Sequence, residues 1–293
     1  MDEKIKKNIL ITGASSFIGE GLARRLQDSS NLFLLTHNKK ILTKNTNTVF
    51  VHGDIRDVKQ WSKKLPHIDV VIHLAAITHT TDTSLYNKVN NLGTQTLVEV
   101  FKDKNLSHFI FISTRAIGSC CGEYGASKEA AEKFFVDSGL NYTIIRPGEV
   151  YNSNFKHKEG LGSLAKLIKN SPIVPYLYSQ KYKLSPVHTD DVLSSIINTI
   201  ENKSLYGKTL LVTGPDNLSL KEVVKKISTY FKKRRILIPV PVFFVKCIFW
   251  VLVNIFQKGA PDQVKRFLCT KESMSEKMKE ELDVIPRKFL PLS

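Results

Sequence analysis

The chain has 293 residues, of which 42% are hydrophobic and 24% charged, so it can bury a sizeable core and is not a disordered protein. Its 43 Lys and Arg residues against 27 Asp and Glu residues give a formal net charge of +16. This excess favours an anionic partner, which could be nucleic acid, a phosphorylated substrate or an acidic membrane surface. The first residues include two acids and lack a following apolar run, so no secretory signal is predicted.

Short apolar runs alternate with helical patterns through the first half of the chain. The predicted strands cover residues 8–12, 32–36, 49–51, 69–74, 109–113 and 142–146, and a later strand covers 209–213. Strands that are apolar on both faces and are separated by helices indicate a parallel sheet covered on both sides. The predicted fold class is therefore α/β, with a doubly wound parallel sheet.

The pattern loosens after Pro147, which places a domain boundary near residue 150. Residues 151–293 are predicted to form a smaller, mostly helical lobe that shares some strands with residues 1–150. Within this lobe, Ser219 is expected to cap a helix that runs to about Phe231.

Residues 242–256 form the most hydrophobic segment of the chain. The segment is short for a membrane span and is interrupted by Lys246 and Asn254. A buried helix of the second lobe is the favoured interpretation, and an interfacial helix lying on a membrane is the alternative, because basic residues surround the segment.

The cysteines are Cys120, Cys121, Cys247 and Cys269. They show neither metal-ligand spacing nor a disulfide framework, so we predict no metal site and a reducing, cytoplasmic location.

A glycine-containing turn follows the first strand directly, in the sequence Thr12-Gly13-Ala14-Ser15-Ser16-Phe17-Ile18-Gly19. Glycine allows the sharp bend, and glycine at the start of the helix allows helix and sheet to approach closely. The exposed N–H groups at this helix N-terminus can then hold a pyrophosphate. The strand–turn–helix context makes a dinucleotide site the favoured interpretation.

These residues resemble the TGxxGxxG fingerprint of the short-chain dehydrogenase/reductase superfamily, with Ser16 in place of the middle glycine. The resemblance implies a Rossmann-type sheet in which residues 1–150 bind NAD(P). Further motifs follow in the family's order. Each alone is better explained by a structural role such as helix capping, and their joint order carries the resemblance. The resemblance implies that the cofactor is bound by Gly13, Ser15, Ser16, Phe17, Ile18, Gly19, His37, Lys39, Asp54, Ile55, Leu74, Ala75, Ala76, Asn90, Tyr124, Lys128 and Pro147.

The choice between the two nicotinamide cofactors depends on the end of the second strand. A 2′-hydroxyl is normally held there by Asp or Glu, whereas a 2′-phosphate requires a cation. The corresponding residues, 36–40, contain no acid and include Lys39 and Lys40. This favours NADP over NAD, although two solvated lysines would also be compatible with NAD.

Tyr124 and Lys128 are four residues apart and therefore lie on one face of a predicted helix. An ammonium group near a phenol stabilises the phenolate and brings it closer to acid–base work at neutral pH. The arrangement resembles the Ser/Thr–Tyr–Lys triad of the superfamily, with Thr114 as the hydroxyl and Ser113 as second choice. By this resemblance, Tyr124 exchanges a proton with the substrate, and Lys128 tunes Tyr124 and holds the nicotinamide ribose.

Residues 146–151 (RPGEVY) and 186–192 (PVHTDDV) resemble stations of the extended branch, the NAD-dependent epimerase/dehydratase family. This implies an enzyme that modifies a nucleotide-diphosphate sugar by hydride transfer. The loop between Thr114 and Tyr124 is shorter than in typical sugar epimerases, which suggests an open pocket and admits a lipid-diphosphate-linked sugar.

Alternatives to this function remain open: an NADPH-dependent reductase of a keto-sugar or small ketone, and a non-catalytic NADP(H)-binding sensor or structural subunit. Residues 151–293 carry +12 of the net charge and residues 1–150 carry +4. The charge therefore points to a diphosphate-bearing substrate rather than to nucleic acid, which we do not expect as a partner. Peripheral contact with an anionic membrane and a homodimer are further expectations.

Overall fold

A seven-stranded parallel sheet forms the centre of the molecule, because seven short apolar runs can be buried on both faces. The computed structural model describes residues 6–37, 47–155, 160–179, 181–245, 262–269, 271 and 276–290. The strands of the sheet are β1 (Lys7–Thr12), β2 (Ser30–Thr36), β3 (Thr48–His52), β4 (Val70–His73), β5 (His108–Ile112), β6 (Tyr142–Pro147) and β11 (Lys208–Val212). All seven predicted strands are present, and the predicted α/β Rossmann-type fold is confirmed.

The order of the strands across the sheet is β11-β6-β5-β4-β1-β2-β3. The chain winds outward from β1 in one direction through β2 and β3, and in the other through β4, β5 and β6. The order therefore reverses between β1 and β4. In sheets of this kind, ligands bind at the carboxyl ends of the strands beside such a reversal.

Helices cover both faces of the sheet. They are α1 (Phe17–Leu26), α2 (Val58–Trp61), α3 (Gly93–Lys102), α4 (Gly122–Val136) and α6 (Thr189–Thr199), with a π-helical stretch at Tyr86–Leu92 before α3. On one face, α1 and α6 contribute Leu22 and Ile196 to a core cluster. On the other, α3 and α4 contribute Phe101 and Phe135 to a second cluster.

The second half of the chain adds small sheets and helices beside the carboxyl edge of the main sheet. Its remaining elements are β7 (Glu149–Tyr151), α5 (Leu161–Asn170), β8 (Ile173–Tyr178), β9 (Lys183–Leu184), β10 (Pro186–His188), β12 (Leu218–Ser219), α7 (Leu220–Tyr230), β13 (Ile236–Pro241), α8 (Asp262–Leu268) and α9 (Glu276–Leu282). Ser219 caps α7 in a capping box with Glu222, as predicted. The boundary near residue 150 remains a prediction, and β11, from beyond it, pairs with β6.

The predicted helix at residues 242–256 lies largely outside the described residues, which end at Val245 and resume at Asp262. Phe243 and Phe244 are described, and their side chains are 70% and 58% exposed. Within the described ranges, no helix combines the length and the apolarity that crossing a membrane requires.

The prediction of unpaired cysteines is wrong for two of the four. Cys121 and Cys269 form a disulfide, with their Cα atoms 5.2 Å apart and a sequence separation of 148. Spacing along the chain cannot reveal a pair that the fold brings together from 148 residues apart. Cys120 is a free, exposed thiol, and Cys247 lies outside the described residues.

Candidate active site

A cleft of about 440 Å³ opens at the carboxyl ends of β1, β2 and β4, beside the reversal in strand order. Nine of the residues predicted to bind the cofactor line it: Gly13, Ser15, Ser16, His37, Asp54, Ile55, Leu74, Ala75 and Ala76. The cleft therefore lies where a dinucleotide would be expected in this fold.

The turn between β1 and α1 has the features that a pyrophosphate site requires. Gly13 has φ +68°, and a Cβ on it would lie 2.7 Å from the backbone nitrogen of Ala75, so only glycine fits there. Ser16, which stands in place of the family's middle glycine, is the N-cap of α1, and its Oγ accepts a 3.1 Å hydrogen bond from the N–H of Gly19. The departure from the fingerprint thus supplies a helix cap, and the turn still fits a bound cofactor.

Among the described residues, the other predicted cofactor residues do not line this cleft. Phe17 lines a separate cavity beside α6, Ile18 packs against the core, and Gly19 is buried where α1 meets the turn. Lys39 lies outside the described residues.

Asn90 is buried and joins the cleft wall to the helix that carries Tyr124. Its side chain accepts a hydrogen bond from the N–H of Ile77 (2.8 Å), and donates to the carbonyl of Ile77 (3.0 Å) and to Ser127 Oγ on α4 (3.3 Å). Asn90 therefore fixes the cleft wall relative to α4.

Asp54 lies in the cleft, and its negative charge is compensated by Arg56, which we did not predict as a site residue. Arg56 donates two side-chain hydrogen bonds to Asp54, and these bonds lower the pKa of the Asp54 carboxyl. Asp54 also caps the short helix that follows it, and His37 Nε2 lies 3.3 Å from its carboxylate. Arg56 and His37 therefore both face the cleft on the side of β2.

A second cavity of about 460 Å³ lies at the carboxyl ends of β5 and β6. Thr114, Tyr124 and Pro147, all predicted site residues, line it. Thr114 Oγ1 accepts a 3.1 Å hydrogen bond from the N–H of Ala116. Ser113 is 5% exposed, does not line this cavity, and its Oγ has no hydrogen-bond partner among the described residues. This position favours Thr114 as the hydroxyl that reaches a substrate.

Lys128 is buried one helical turn after Tyr124. Its side chain is among the largest fully buried ones, Nζ donates a 2.8 Å hydrogen bond to the carbonyl of Ile112, and the ammonium lies 3.9 Å from the centre of the Phe111 ring. Burial lowers the pKa of Lys128 to about 7, and the nearby carboxylate of Glu132 opposes this shift only partly. The charge of Lys128 therefore depends on pH near neutrality.

The second cavity also contains a cluster of charges that sequence reasoning missed. Glu149 accepts hydrogen bonds from Arg115 (2.8 Å) and Lys271 (3.0 Å). Burial opposes ionisation of Glu149, but Lys271 and Arg115 outweigh it and lower the pKa of the carboxyl to about 2. Glu149 lies within the RPGEVY stretch recognised in the sequence, but its partners Arg115 and Lys271 are 34 and 122 residues away in the chain.

The C-terminal segment around α8 covers the short loop before Tyr124, where we expected an open pocket. The Cys121–Cys269 disulfide joins the two, and Asp262 Oδ1 accepts a 3.3 Å hydrogen bond from the N–H of Tyr124. Arg266 and Lys271 line the cavity beside it.

Among the described residues, no group of three or more His, Cys, Asp or Glu side chains could hold a metal ion.

The Rossmann-type sheet, with a cleft where the strand order reverses, is typical of the class of nucleotide-binding α/β proteins. Residues 9–208 match the family described as the NAD dependent epimerase/dehydratase family, and the chain belongs to this family. The resemblance seen in the sequence is thereby confirmed, as is the prediction of an enzyme.

The chain is similar to several characterised proteins. It is 28% identical over 271 residues to the UDP-glucose 4-epimerase of Vibrio cholerae, covering 84% of this chain and 82% of that protein. It is 25% identical over 192 residues to the ceramide reductase of Caulobacter vibrioides, covering 64% of this chain and 59% of that protein. The structure of UDP-glucuronic acid 4-epimerase from Bacillus cereus, in complex with UDP-glucuronic acid and NAD, superposes with a TM-score of 0.76 at 21% identity, covering 97% and 95% of the two chains. That superposition shows a shared fold.

Proposed function

We propose that this protein is an epimerase or dehydratase that acts on a nucleotide-diphosphate sugar. The observation that carries the proposal is that Tyr124 and Thr114 line one cavity while the dinucleotide-type cleft opens at the same edge of the sheet. Family membership and the similarity to UDP-glucose 4-epimerase support the substrate class. When bound, a nicotinamide cofactor would supply reversible hydride transfer at a sugar carbon.

The chain's own residues then hold the substrate oxygen and move its proton. The Thr114 hydroxyl binds the reacting oxygen, and the Tyr124 phenol exchanges a proton with it. Lys128, one turn along α4, stabilises the phenolate form of Tyr124 and holds the nicotinamide ribose. Lys271 lines this cavity, and the net charge of +12 in residues 151–293 suits a diphosphate-bearing substrate.

The test is a screen of UDP-, GDP- and dTDP-sugars with the wild-type protein and the Tyr124→Phe variant. We expect the wild type to convert at least one sugar and the variant to lose at least about 100-fold in kcat, because the proton donor is removed. Tyr178→Phe, which changes an exposed tyrosine on β8, is the matched control. Full turnover by Tyr124→Phe would overturn the catalytic assignment.

A reductase of a keto-sugar or a small ketone is the second candidate, and the similarity to a ceramide reductase favours it. An epimerase returns the hydride and leaves the cofactor unchanged, whereas a reductase consumes NADPH in proportion to product. Loss of NADPH absorbance that matches product formation would therefore select the reductase. A non-catalytic subunit would bind NADP(H) and convert no sugar or ketone, but the presence of Tyr124 and Lys128 argues against it.

We propose NADP(H) as the cofactor, with NAD(H) as the alternative. No acidic residue follows β2 before residue 40, and His37 and Arg56 face the cleft. Lys39→Gln/Lys40→Gln is the test variant and Lys59→Gln, an exposed lysine on α2, is its control. We expect the wild type to bind NADP⁺ more tightly than NAD⁺, and the test variant alone to lose this preference. Tighter binding of NAD⁺ than of NADP⁺ by the wild type would select the alternative.

We also propose that the protein works in the cytoplasm in peripheral contact with an anionic membrane, where a lipid-diphosphate-linked sugar would be within reach. Exposed Lys232, Lys233 and Arg234 precede β13, and the exposed side chains of Phe243 and Phe244 follow it. Cosedimentation with anionic vesicles at low salt, weakened in Lys233→Glu/Arg234→Glu and absent with neutral vesicles, is expected. Failure to cosediment would overturn this contact. A homodimer remains a prediction that sedimentation equilibrium would test.

A further inference from the structure

The side chain of Arg266 lies over the ring of Tyr124. Its guanidinium carbon lies 4.3 Å from the centre of the Tyr124 ring. The same guanidinium donates a 2.6 Å hydrogen bond to the carbonyl of Thr78, and its Nε lies 3.1 Å from the carboxylate of Asp262. These three contacts hold the guanidinium against the ring.

The segment that carries Arg266 is itself held against the start of α4. Asp262 Oδ1 accepts the hydrogen bond from the N–H of Tyr124, and the disulfide between Cys269 and Cys121 ties the other end of the segment to the residue before α4. A side chain on Gly122 would collide with Asp262, so the close approach depends on glycine. The two ends of α8 are thus anchored on either side of Arg266.

A guanidinium at this place differs in kind from Lys128. The pKa of Lys128 is lowered to about 7 by burial, so its charge depends on pH near neutrality. An arginine remains charged at every pH relevant to catalysis and stacks on aromatic faces. A cation within about 4–6 Å of an acid stabilises the ionised form of that acid.

We propose that Arg266 is a positioning residue that holds the Tyr124 ring in place and gives it a permanent positive neighbour. Arg266 would thereby keep the phenol usable for proton exchange when Lys128 is neutral. This role deepens the proposed function, and it rests on Tyr124 being the proton-exchanging residue.

Other ionisable groups face Tyr124 and act in both directions. They are Lys128 on its own helix, Tyr86 with its ring centre 5.9 Å away, Asp262 on α8, and His79, Arg115, Glu149 and Lys271 along the cavity. Glu149 is compensated by its two cations, and Asp262 contacts the backbone of Tyr124. Arg266 contacts the face of the Tyr124 ring.

The first experiment needs no substrate. Tyrosinate absorbance is followed as pH is raised, and subtraction of the matching Tyr124→Phe protein isolates the ionisation of Tyr124. We expect Arg266→Gln to move the midpoint upward by about one pH unit, Arg266→Lys to restore part of the difference, and Lys265→Gln, an exposed neighbour on α8, to change nothing. An unchanged midpoint in Arg266→Gln would overturn the proposal.

Loss of the cation leaves Asp262 buried, so Arg266→Gln could fail to fold. The double variant Asp262→Asn/Arg266→Gln removes both charges and supplies the same comparison against Asp262→Asn alone. If neither removal of the guanidinium shifts the midpoint, Arg266 does not act through Tyr124.

The second experiment uses the nucleotide sugar that the screen finds to be converted. We expect Arg266→Gln to lower kcat about tenfold at neutral pH, with KM within about twofold, and the acidic limb of its kcat profile to shift to higher pH. A rise in KM alone, with an unshifted profile, would make Arg266 a substrate ligand and overturn the positioning role. If no sugar is converted but the Tyr124 midpoint shifts, the proposed function fails while the assignment of Arg266 stands.

Discussion

The side-chain amine of Lys128 is buried in a site that favours its neutral form. It is buried between the carbonyl of Ile112 and the Phe111 ring, and its pKa falls to about 7 from an ordinary value of 10.5. The unfolded chain therefore binds the proton more tightly than the native protein between those two values. Stability must rise as pH increases through this window, and the cost of burying the charge is fully present below it.

Replacing Lys128 by methionine should separate stability from activity. We expect Lys128→Met to increase the free energy of unfolding at neutral pH by about 2 kcal/mol, because an apolar side chain of similar length fills the site. Turnover of the nucleotide sugar should fall at least about 100-fold. Denaturant unfolding and steady-state kinetics measure the two effects, with Lys133→Met, exposed on the same helix, as the control. A lower free energy of unfolding for Lys128→Met than for the wild type would show that the buried lysine stabilises the fold.

At the scale of elements, α8 is held on α4 by a covalent link as well as by polar contacts. The Cys121–Cys269 disulfide connects residues 148 apart in sequence and ends beside the helix that carries Tyr124. Cross-links between distant residues restrict the unfolded chain most. In a reducing compartment the same residues would be two thiols packed together.

Removing the disulfide should therefore change the free energy of unfolding only under oxidising conditions. Without reductant, we expect Cys269→Ser to lower the free energy of unfolding by about 2–4 kcal/mol. With reductant, the wild type should fall to the level of the variant. Cys120→Ser removes the exposed neighbouring thiol and should match the wild type in both buffers. Equal stability of Cys269→Ser and the wild type without reductant would show that the disulfide does not form in solution.

At the scale of the whole molecule, acid should weaken the fold through histidines in the central sheet. His108 on β5 is buried, contacts Thr143 on β6 and the carbonyl of Ile200, and has its pKa lowered to about 4 by burial. His73 on β4 is also buried, with its pKa well below the usual value for the same reason. Both are neutral in the native protein, so protonation favours the unfolded chain.

We expect the free energy of unfolding to fall as pH decreases from 6.5 to 4, with His108 accounting for roughly 2–3 kcal/mol. The stabilising ionisation of Glu149 is lost at lower pH still, below the ordinary carboxyl value of 4.5 and down to about 2. Denaturant titrations at several pH values measure the slope. His108→Gln should flatten it between 6.5 and 4, and an unchanged slope would contradict the assignment to His108.

The sequence predicts most of the sheet because burial on both faces leaves continuous apolar runs. It misses the pairing of β8 with β13, since Pro175, Pro239 and Pro241 argue against strands. The cleft where the strand order reverses and the cavity residue Tyr124 are both marked by local motifs. Arg266 and the Cys121–Cys269 pair are not, because only the folded chain brings them to α4.

The position of β11 has a consequence for exchanging parts between relatives. This strand comes from the second half of the chain, yet it forms the outer edge of the main sheet beside β6. A fragment cut near residue 150 would leave the outer edge of β6 unpaired and open to association with other chains, while its other edge stays paired with β5. Chimaeras that exchange residues 151–293 between relatives must therefore keep β11 with its own sheet or match its side chains to the β6 of the recipient.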